Sequence, residues 1–359
     1  MIILKITCER SKLVEKLSNV QRAVSPKSNL AALEGIYINA QNGQLELCGY
    51  NTELAIKTTL KADVISEGKI VLGARLFTDI VRRLPSQNVT LEVQDNLMVL
   101  IKSGSSEFSL AGIDKPDSIE LPCITAKSMI KQTLFAVADT DTKPIHTGTL
   151  FDIKKHEIAL VSVDGYRMAI RKEKIKEELD IKFVVPGKTL GEVLKLLPDD
   201  EDQELKILAG QRHILFDTKE YCIISRLLDG EFLDYKMSIP ESFKTKVNVN
   251  TKEMLESVER VSLIITERFK SPVRCIISAG ITRLSCLTSI GKAYDEFPVS
   301  INGEDVEIGF NNKYMTDALK NSDTDEVIIE LNGSLSPIKI LPKNGDSFLF
   351  LVLPVRLHE

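Results

Sequence analysis

Residues 51–56 read Asn-Thr-Glu-Leu-Ala-Ile, and residues 165–170 read Gly-Tyr-Arg-Met-Ala-Ile, 114 positions later. Residues 73–85 match residues 186–198 in the same way, 113 positions apart. A weaker third copy covers residues 289–294 and 310–320. This period exceeds the roughly 20–50 residues of solenoid repeats and has the size of a whole domain. The chain of 359 residues therefore predicts one small domain in triplicate.

Two stretches rich in Pro and Asp separate the copies. The first runs from Gly112 to Pro122 and the second from Asp229 to Pro240, and neither shows hydrophobic periodicity. Such composition is typical of linkers. We therefore predict domains at residues 1–122, 123–240 and 241–359.

Each copy repeats one order of predicted elements. A helix with an apolar face comes first, as at Leu13, Leu17 and Val20, and then a hairpin, which in the first copy turns at Asn42-Gly43. A second short helix and further strands follow. The six predicted helices cover residues 11–25, 74–84, 126–138, 187–197, 251–265 and 312–321. Because strands and helices do not alternate regularly, the pattern favours an α+β fold with two helices packed on antiparallel sheets in each copy.

The charge of the chain is divided unevenly between helices and the rest. The predicted helices carry a net charge of +7 in a chain whose total is −5, which leaves −12 for the other residues. Charged helix faces are often merely solvated. The alternative interpretation is a helical surface that binds a polyanion, such as a nucleic-acid backbone, without reading its sequence.

The composition limits the possible functions. The six cysteines are scattered without a CxxC pair, which indicates reduced thiols, a cytoplasmic protein and no metal site. The sequence shows no phosphate-binding loop, no dinucleotide fingerprint, no HExxH and no GxSxG elbow. Three classes remain: a DNA-binding scaffold, an enzyme whose active site is assembled from distant residues, and a peptide-binding adaptor without affinity for DNA.

Three further motifs indicate a resemblance to a known family. Residues 164–169 read Asp-Gly-Tyr-Arg-Met-Ala, residues 230–235 read Gly-Glu-Phe-Leu-Asp-Tyr, and residues 353–357 read Leu-Pro-Val-Arg-Leu. In this order on a threefold repeat, they resemble the bacterial DNA polymerase III beta subunit, the beta sliding clamp, over the whole chain. The resemblance implies a protein without catalytic activity or cofactor, which confers processivity in DNA replication.

The resemblance also implies an assembly and a set of partners. Two chains would join head to tail into a ring with pseudo-sixfold symmetry, with the helices lining a hole around double-stranded DNA. The DNA polymerase III catalytic subunit, the clamp loader, repair polymerases and other proteins with a clamp-binding motif would dock on it. The basic helices and the missing catalytic motifs agree with such a role.

The resemblance assigns residues to three sites. The peptide-binding pocket takes Gly165, Tyr166, Arg167, Met168, Leu233, Met237, Pro337, Leu351, Leu353, Pro354, Val355, Arg356 and Leu357. The DNA contacts are Lys27, Arg75 and Lys188, and the dimer interface takes Phe108, Leu263 and Ile264. The sequence differs from the family pattern at His146, Val163, Met237 and Ser238 around the pocket, at Ser105 and Glu107 near the interface, and in the terminal His358-Glu359.

Overall fold

The computed structural model describes residues 2–25, 34–51, 53–94, 96–112, 127–140, 143–197, 205–209, 213–218, 220–266 and 271–357. The chain forms two compact units, which we call unit 1 (Met1–Lys127 and Gly191–Leu227) and unit 2 (Ser128–Leu190 and Leu228–Glu359). The middle third of the chain contributes strands to a sheet of each unit. The predicted boundaries after residues 122 and 240 therefore stay predictions.

Six α-helices occur among the described residues, one at each predicted position. They are α1 (Arg10–Val20), α2 (Ala74–Arg83), α3 (Lys127–Leu134), α4 (Gly187–Leu196), α5 (Thr251–Ser262) and α6 (Asn312–Lys320). Helix α3 ends four residues before its predicted end at 138. There the Ala136 N–H donates to the Thr133 carbonyl and the Val137 N–H to the Leu134 carbonyl, so the chain leaves α3 through tight turns.

Unit 1 contains two antiparallel sheets, and α1 packs on α2 and on strands of the larger sheet. The five-stranded sheet has the order β5 (Asp63–Ser66), β1 (Ile2–Glu9), β7 (Asn88–Gln94), β8 (Met98–Ser103), β9 (Ser106–Ala111). The seven-stranded sheet has the order β12 (Lys206–Ala209), β13 (His213–Asp217), β14 (Tyr221–Arg226), β4 (Leu54–Lys61), β3 (Gln44–Tyr50), β2 (Gly35–Gln41), β6 (Gly68–Gly73). The predicted apolar face of α1 is confirmed, since Leu13, Leu17 and Val20 are fully buried. The predicted hairpin turn at Asn42-Gly43 is also confirmed by the pairing of Gln41 with Gln44.

Unit 2 also contains two antiparallel sheets, and α5 packs on α6 and on the smaller sheet. The seven-stranded sheet has the order β10 (Gly148–Val163), β11 (Arg167–Pro186), β23 (Phe348–Val352), β22 (Ile338–Pro342), β21 (Glu326–Leu331), β15 (Thr245–Asn250), β19 (Ser300–Gly303). The four-stranded sheet has the order β18 (Gly291–Pro298), β17 (Ile281–Thr288), β16 (Val273–Ser278), β20 (Val306–Phe310).

Strand β10 is folded back on itself. The hydroxyl oxygens of Thr149 and Ser162 lie 2.9 Å apart. A straight strand would separate these residues by about 43 Å, at roughly 3.3 Å per residue. The reversal falls near Lys155, whose φ is 54°. The two arms of β10 therefore form the hairpin that the sequence predicts for the second copy.

The strand pairing corrects the alignment of the repeats. Tyr50 pairs with Ala55 across one turn, and Val163 pairs with Met168 across another. Asn51 therefore corresponds to Asp164 and not to Gly165, so the true offset is 113 and the predicted offset of 114 is wrong. The similar triplets Leu-Ala-Ile and Met-Ala-Ile shift the sequence match by one residue.

Two further observations concern membrane-spanning helices and the state of the cysteines. Within the described ranges, no helix combines the length and the apolar character that a bilayer crossing demands. The cysteines among the described residues are free thiols, at Cys8, Cys48, Cys222, Cys275 and Cys286.

Candidate functional site

The motif at residues 164–169 forms a tight turn between β10 and β11 in unit 2. The Asp164 carboxylate accepts hydrogen bonds from the backbone N–H groups of Tyr166, at 2.9 Å, and Arg167, at 3.0 Å. The Asp164 N–H donates to the Arg167 carbonyl at 3.3 Å. An aspartate that bonds the backbone two and three residues ahead replaces part of the strand ladder and fixes the turn. Gly165 and Tyr166 are thereby held exposed at its tip.

Arg167 is buried and paired with two carboxylates. Its Nε donates to Asp164 Oδ2 at 2.8 Å, and its NH1 donates to Asp317 Oδ2 on α6. The guanidinium also lies over the Tyr314 ring, at 4.7 Å, and the Phe135 ring, at 5.6 Å. Because charged hydrogen bonds and ring contacts occupy the guanidinium, Arg167 acts as a latch between the β10–β11 turn and α6.

Tyr166 extends this latch to the surface. Its ring stacks on Tyr314, with centroids 6.0 Å apart, and it is 62% exposed. Burial, together with the carboxylate of Asp164, raises the pKa of Tyr314. The two stacked tyrosines therefore form an aromatic platform with one solvent-facing side.

Below the turn lies an apolar cluster that contains three of the predicted pocket residues. Met168 and Leu351 are buried in it and pair across β11 and β23, and Leu233 packs against it from the segment after β14. Met168 is only 4% exposed. It therefore forms the floor of the site rather than its rim.

A buried polar group fastens the segment that carries Leu233. The Tyr235 hydroxyl donates to Asp152 Oδ2 at 3.0 Å, and the Lys182 ammonium lies 3.5 Å from the same oxygen. Burial and the neighbouring Asp152 raise the pKa of Tyr235 well above its usual range. The phenol therefore stays a hydrogen-bond donor and holds residues 233–238 against β10.

The C-terminal tail closes one side of the site. The Leu353 N–H donates to the Tyr166 carbonyl at 2.9 Å, and the Val355 N–H donates to the Gly309 carbonyl at 2.8 Å. Pro354 forms a β-bridge with Phe310. A Cβ at Gly309 would come within 2.5 Å of the Val355 carbonyl oxygen, so glycine is required for the tail to lie this close to β20.

The remaining predicted pocket residues also belong to unit 2, and several of them are exposed. Met237, Tyr166, Leu353 and Val355 are all exposed, at 85%, 62%, 40% and 38%. Arg356 is exposed, while Pro337 and Leu357 are half-buried. Exposed apolar side chains mark a binding site where they form a contiguous patch. Sequence reasoning missed Phe135, Gly309, Tyr314 and Asp317, and Asp317 shows no local signal because it lies 150 residues from Arg167.

The predicted DNA contacts occupy equivalent places at two helix starts. Arg75 and Lys188 are the second residues of α2 and α4, while Lys27 lies outside the described residues. The second residue of α6 is Lys313. It lies in the third copy of the repeat, but the sequence-based assignment of DNA contacts did not include it. All three cations are exposed, and none forms an ion pair with a described residue.

The predicted dimer contacts lie beside sheet edges. Phe108, 41% exposed, belongs to β9, the last strand of its sheet. Leu263 follows α5 and is 82% exposed, and the half-buried Ile264 is its neighbour. Helix α5 packs on the edge strand β18, where Arg260 bonds Asp295 at 2.7 Å. Leu76 on α2 is a further exposed apolar residue, 57% exposed.

Three family models match consecutive parts of the chain. They describe the N-terminal, central and C-terminal domains of the DNA polymerase III beta subunit and match residues 4–122, 120–234 and 236–356. Together they cover nearly the whole sequence in the order expected for three tandem clamp domains.

Curated relatives and solved structures agree with these models. The beta sliding clamps of Bacillus subtilis and Staphylococcus epidermidis are 33% and 32% identical to this chain, and each match covers 99% of the chain and 100% of the relative. The crystal structure of the Bacillus subtilis clamp superposes with a TM-score of 0.94 at 32% identity, covering 99% of this chain and 100% of that one. A Bartonella birtlesii clamp bound to griselimycin superposes with a TM-score of 0.92 at 29% identity, with the same coverage. The chain therefore belongs to the DNA polymerase III beta subunit family, the sliding clamps.

Proposed function

We propose that two copies of this sliding clamp join head to tail into a ring that encircles duplex DNA in the cytoplasm. The ring tethers the catalytic subunit of DNA polymerase III, the clamp loader and repair polymerases through a peptide pocket in unit 2. The chain is a processivity subunit and not a catalyst, as its family shows.

The proposal that the ring binds DNA is supported by a cation without an ion-pair partner among the described residues, which recurs at the start of three helices. Arg75, Lys188 and Lys313 each stand second in their helix. A cation at this end is unfavourable for the helix, because the N-terminus of the macrodipole is itself positive. The same combination of cation and dipole attracts a phosphate. Its recurrence in each repeat therefore favours a repeated anionic ligand such as the DNA backbone, held without sequence readout.

Retention on circular DNA tests this part. We expect wild type to stay on nicked circular DNA after loading, to slide off the same DNA once it is linearised, and to bind short duplexes weakly. The triple substitution Arg75→Glu, Lys188→Glu and Lys313→Glu should reduce loading and retention. The matched control replaces Lys154, Lys155 and Lys174, three exposed lysines of β10 and β11, by Glu. Tight, sequence-selective binding to a short duplex would contradict the proposal.

The peptide pocket rests on the exposed apolar rim above a buried floor. Tyr166, Met237, Leu353 and Val355 leave apolar surface in solvent, and backbone hydrogen bonds hold Leu353 and Val355 in place. A preformed apolar groove with fixed walls suits a short linear peptide with apolar anchors. The griselimycin complex of the Bartonella birtlesii relative is consistent with a ligand site in this fold.

Calorimetry with a polymerase-derived clamp-binding peptide tests the pocket. We expect deletion of residues 354–359 to abolish binding, and Met237→Glu to weaken it by at least tenfold, since an anchor contact is worth roughly 2 kcal/mol. Met237→Glu is preferable to a substitution of buried Met168, because an exposed side chain can change without disturbing the core. Ile65→Glu, also at an exposed apolar residue, is the control. Unchanged affinity in both pocket variants would show that the pocket lies elsewhere.

The dimer would form between the edge strands β9 and β18. Unpaired strand edges offer free N–H and C=O groups to another chain. Phe108 and Leu76 on one side, and Leu263 and Ile264 on the other, supply apolar contacts next to these edges. Light scattering should give the mass of two chains at micromolar concentration, and Phe108→Glu should give the mass of one. A monomeric wild type would contradict a self-closing ring.

A further inference from the structure

The His146 side chain borders the apolar cluster. It lies in a short 3-10 helix, Pro144–Thr147, whose Ile145 packs against the cluster that contains Met168 and Leu351. The His146 ring meets Phe232 edge to face, with centroids 5.4 Å apart, and Phe232 packs against the same cluster. Neither imidazole nitrogen bonds a described residue, and the side chain is partly exposed.

The charge around His146 is positive. Partial burial and the ammonium of Lys143 lower the pKa of His146. Lys143 is exposed and forms no ion pair with any described residue. Asp139 follows the Ala138 whose N–H bonds the His146 carbonyl, and Glu231 precedes Phe232, but neither contributes to the shift. Among the residues that the structure describes, the imidazole of His146 and the ammonium of Lys143 therefore have no anionic partner.

We propose that His146 and Lys143 determine peptide specificity at this pocket by binding an acidic side chain next to the peptide's apolar anchor. The proposal rests on the pocket proposed above, which supplies the apolar anchor site. A carboxylate accepts hydrogen bonds from both groups, whereas an amide offers the same shape without the charge. The pair thus selects Asp or Glu over Asn or Gln at one peptide position.

The same geometry makes the selection dependent on pH. A bound carboxylate stabilises the imidazolium, so the pKa of His146 is higher in the complex than in the free protein. The complex then binds more protons than the free partners below about neutral pH, and affinity for the acidic peptide rises as pH falls from 8 to 6. An uncharged peptide gains nothing from this protonation.

The test uses the full chain and three versions of one polymerase-derived clamp-binding peptide, with Asp, Asn or Ala beside the apolar anchor. Calorimetry at pH 6 should show the Asp version binding wild type roughly fivefold to tenfold more tightly than the Asn version, as charge-assisted hydrogen bonds of about 1–1.4 kcal/mol imply. At pH 8 the preference should shrink. His146→Leu should reduce the preference to what Lys143 alone supplies and remove its pH dependence, while binding of the Ala version persists. Lys143→Gln should reduce the preference, and Lys174→Gln, at an exposed lysine of β11, should leave it unchanged.

The outcomes separate this inference from the pocket itself. Equal affinities of the Asp and Asn versions for wild type at pH 6 would overturn the specificity role of His146, and so would a preference whose size and pH dependence are unchanged in His146→Leu. If the three peptides bind wild type and Met237→Glu alike, the pocket is misplaced and both proposals fail. A reduced, pH-independent Asp preference in His146→Leu, with Met237→Glu weakening all three peptides, would support both.

Discussion

In the β3–β4 turn of unit 1 and the β10–β11 turn of unit 2, the side chain that starts the turn accepts hydrogen bonds from two backbone N–H groups. The two turns differ at the residue that ends them. In the first, the Asn51 side chain accepts from the N–H groups of Glu53, at 3.2 Å, and Leu54, at 2.9 Å. In the second, Asp164 accepts from the equivalent groups, but Arg167 replaces Leu54. Leu54 simply fills its sheet face, whereas Arg167 reaches α6. Thus, at equivalent positions of two repeats, an apolar core residue in the first corresponds to an arginine in the second that joins the turn to α6.

The largest expected effect comes from making the second turn like the first. Arg167→Leu leaves Asp164 and Asp317, whose side chains are 13% and 28% exposed, without their cation. Loss of one partner of a largely buried ion pair costs about 3 kcal/mol. We expect thermal unfolding to show this destabilisation and the peptide affinity to fall with it. Adding Asp317→Leu should restore part of the stability, and an Arg167→Leu variant as stable as wild type would show that the latch contributes nothing.

Two glycines have different neighbours, Gly49 a helix of unit 1 and Gly309 the C-terminal tail of unit 2. A Cβ at Gly49 in unit 1 would lie 2.3 Å from the Val20 carbonyl oxygen, at the end of buried α1, and a Cβ at Gly309 would meet the tail. Gly49→Ala should destabilise the protein by about 2 kcal/mol, because the packed helix cannot move aside. Gly309→Ala should change stability less, because the tail can lift, but should weaken peptide binding about tenfold. Equal effects of the two variants on stability, with peptide affinity intact, would contradict a tail held for binding.

Removing the side chain that caps each turn should lower the stability by a smaller amount, and by different amounts in the two units. Asn51→Ala removes two side-chain hydrogen bonds to the backbone and should cost about 1 kcal/mol. Asp164→Ala removes the equivalent bonds and also one carboxylate of Arg167, so its cost should be greater. Denaturant unfolding of both variants measures the difference, which reports the contribution of the latch. Equal costs would mean that Asp317 alone holds Arg167.

The smallest difference between the two units is expected at their thiols. Burial raises the pKa of Cys48 and Cys222 in unit 1 to about 11 and that of Cys275 in unit 2 to about 12. Little thiolate forms at pH 8, so alkylation should be roughly 100-fold slower than in the unfolded chain. Since the folded state keeps these protons longer than the unfolded state, stability should fall as pH rises above about 9. Site-resolved mass spectrometry after iodoacetamide treatment checks the rates, and rapid labelling of Cys48 in folded protein would contradict them.

The sequence by itself determined the elements and the repeat. Apolar spacing located α1, the Asn42-Gly43 pair located the first hairpin, and the three motifs identified the family, because each of these signals lies within a few neighbouring residues. Only the tertiary structure decided how residues distant in sequence combine. The offset of 113 follows from strand register, and the burial of Met168 follows from the pairing of β11 with β23. The resemblance assigns Arg167 to the peptide pocket, but its partner Asp317 comes from α6, and no local pattern encodes a contact between elements so far apart.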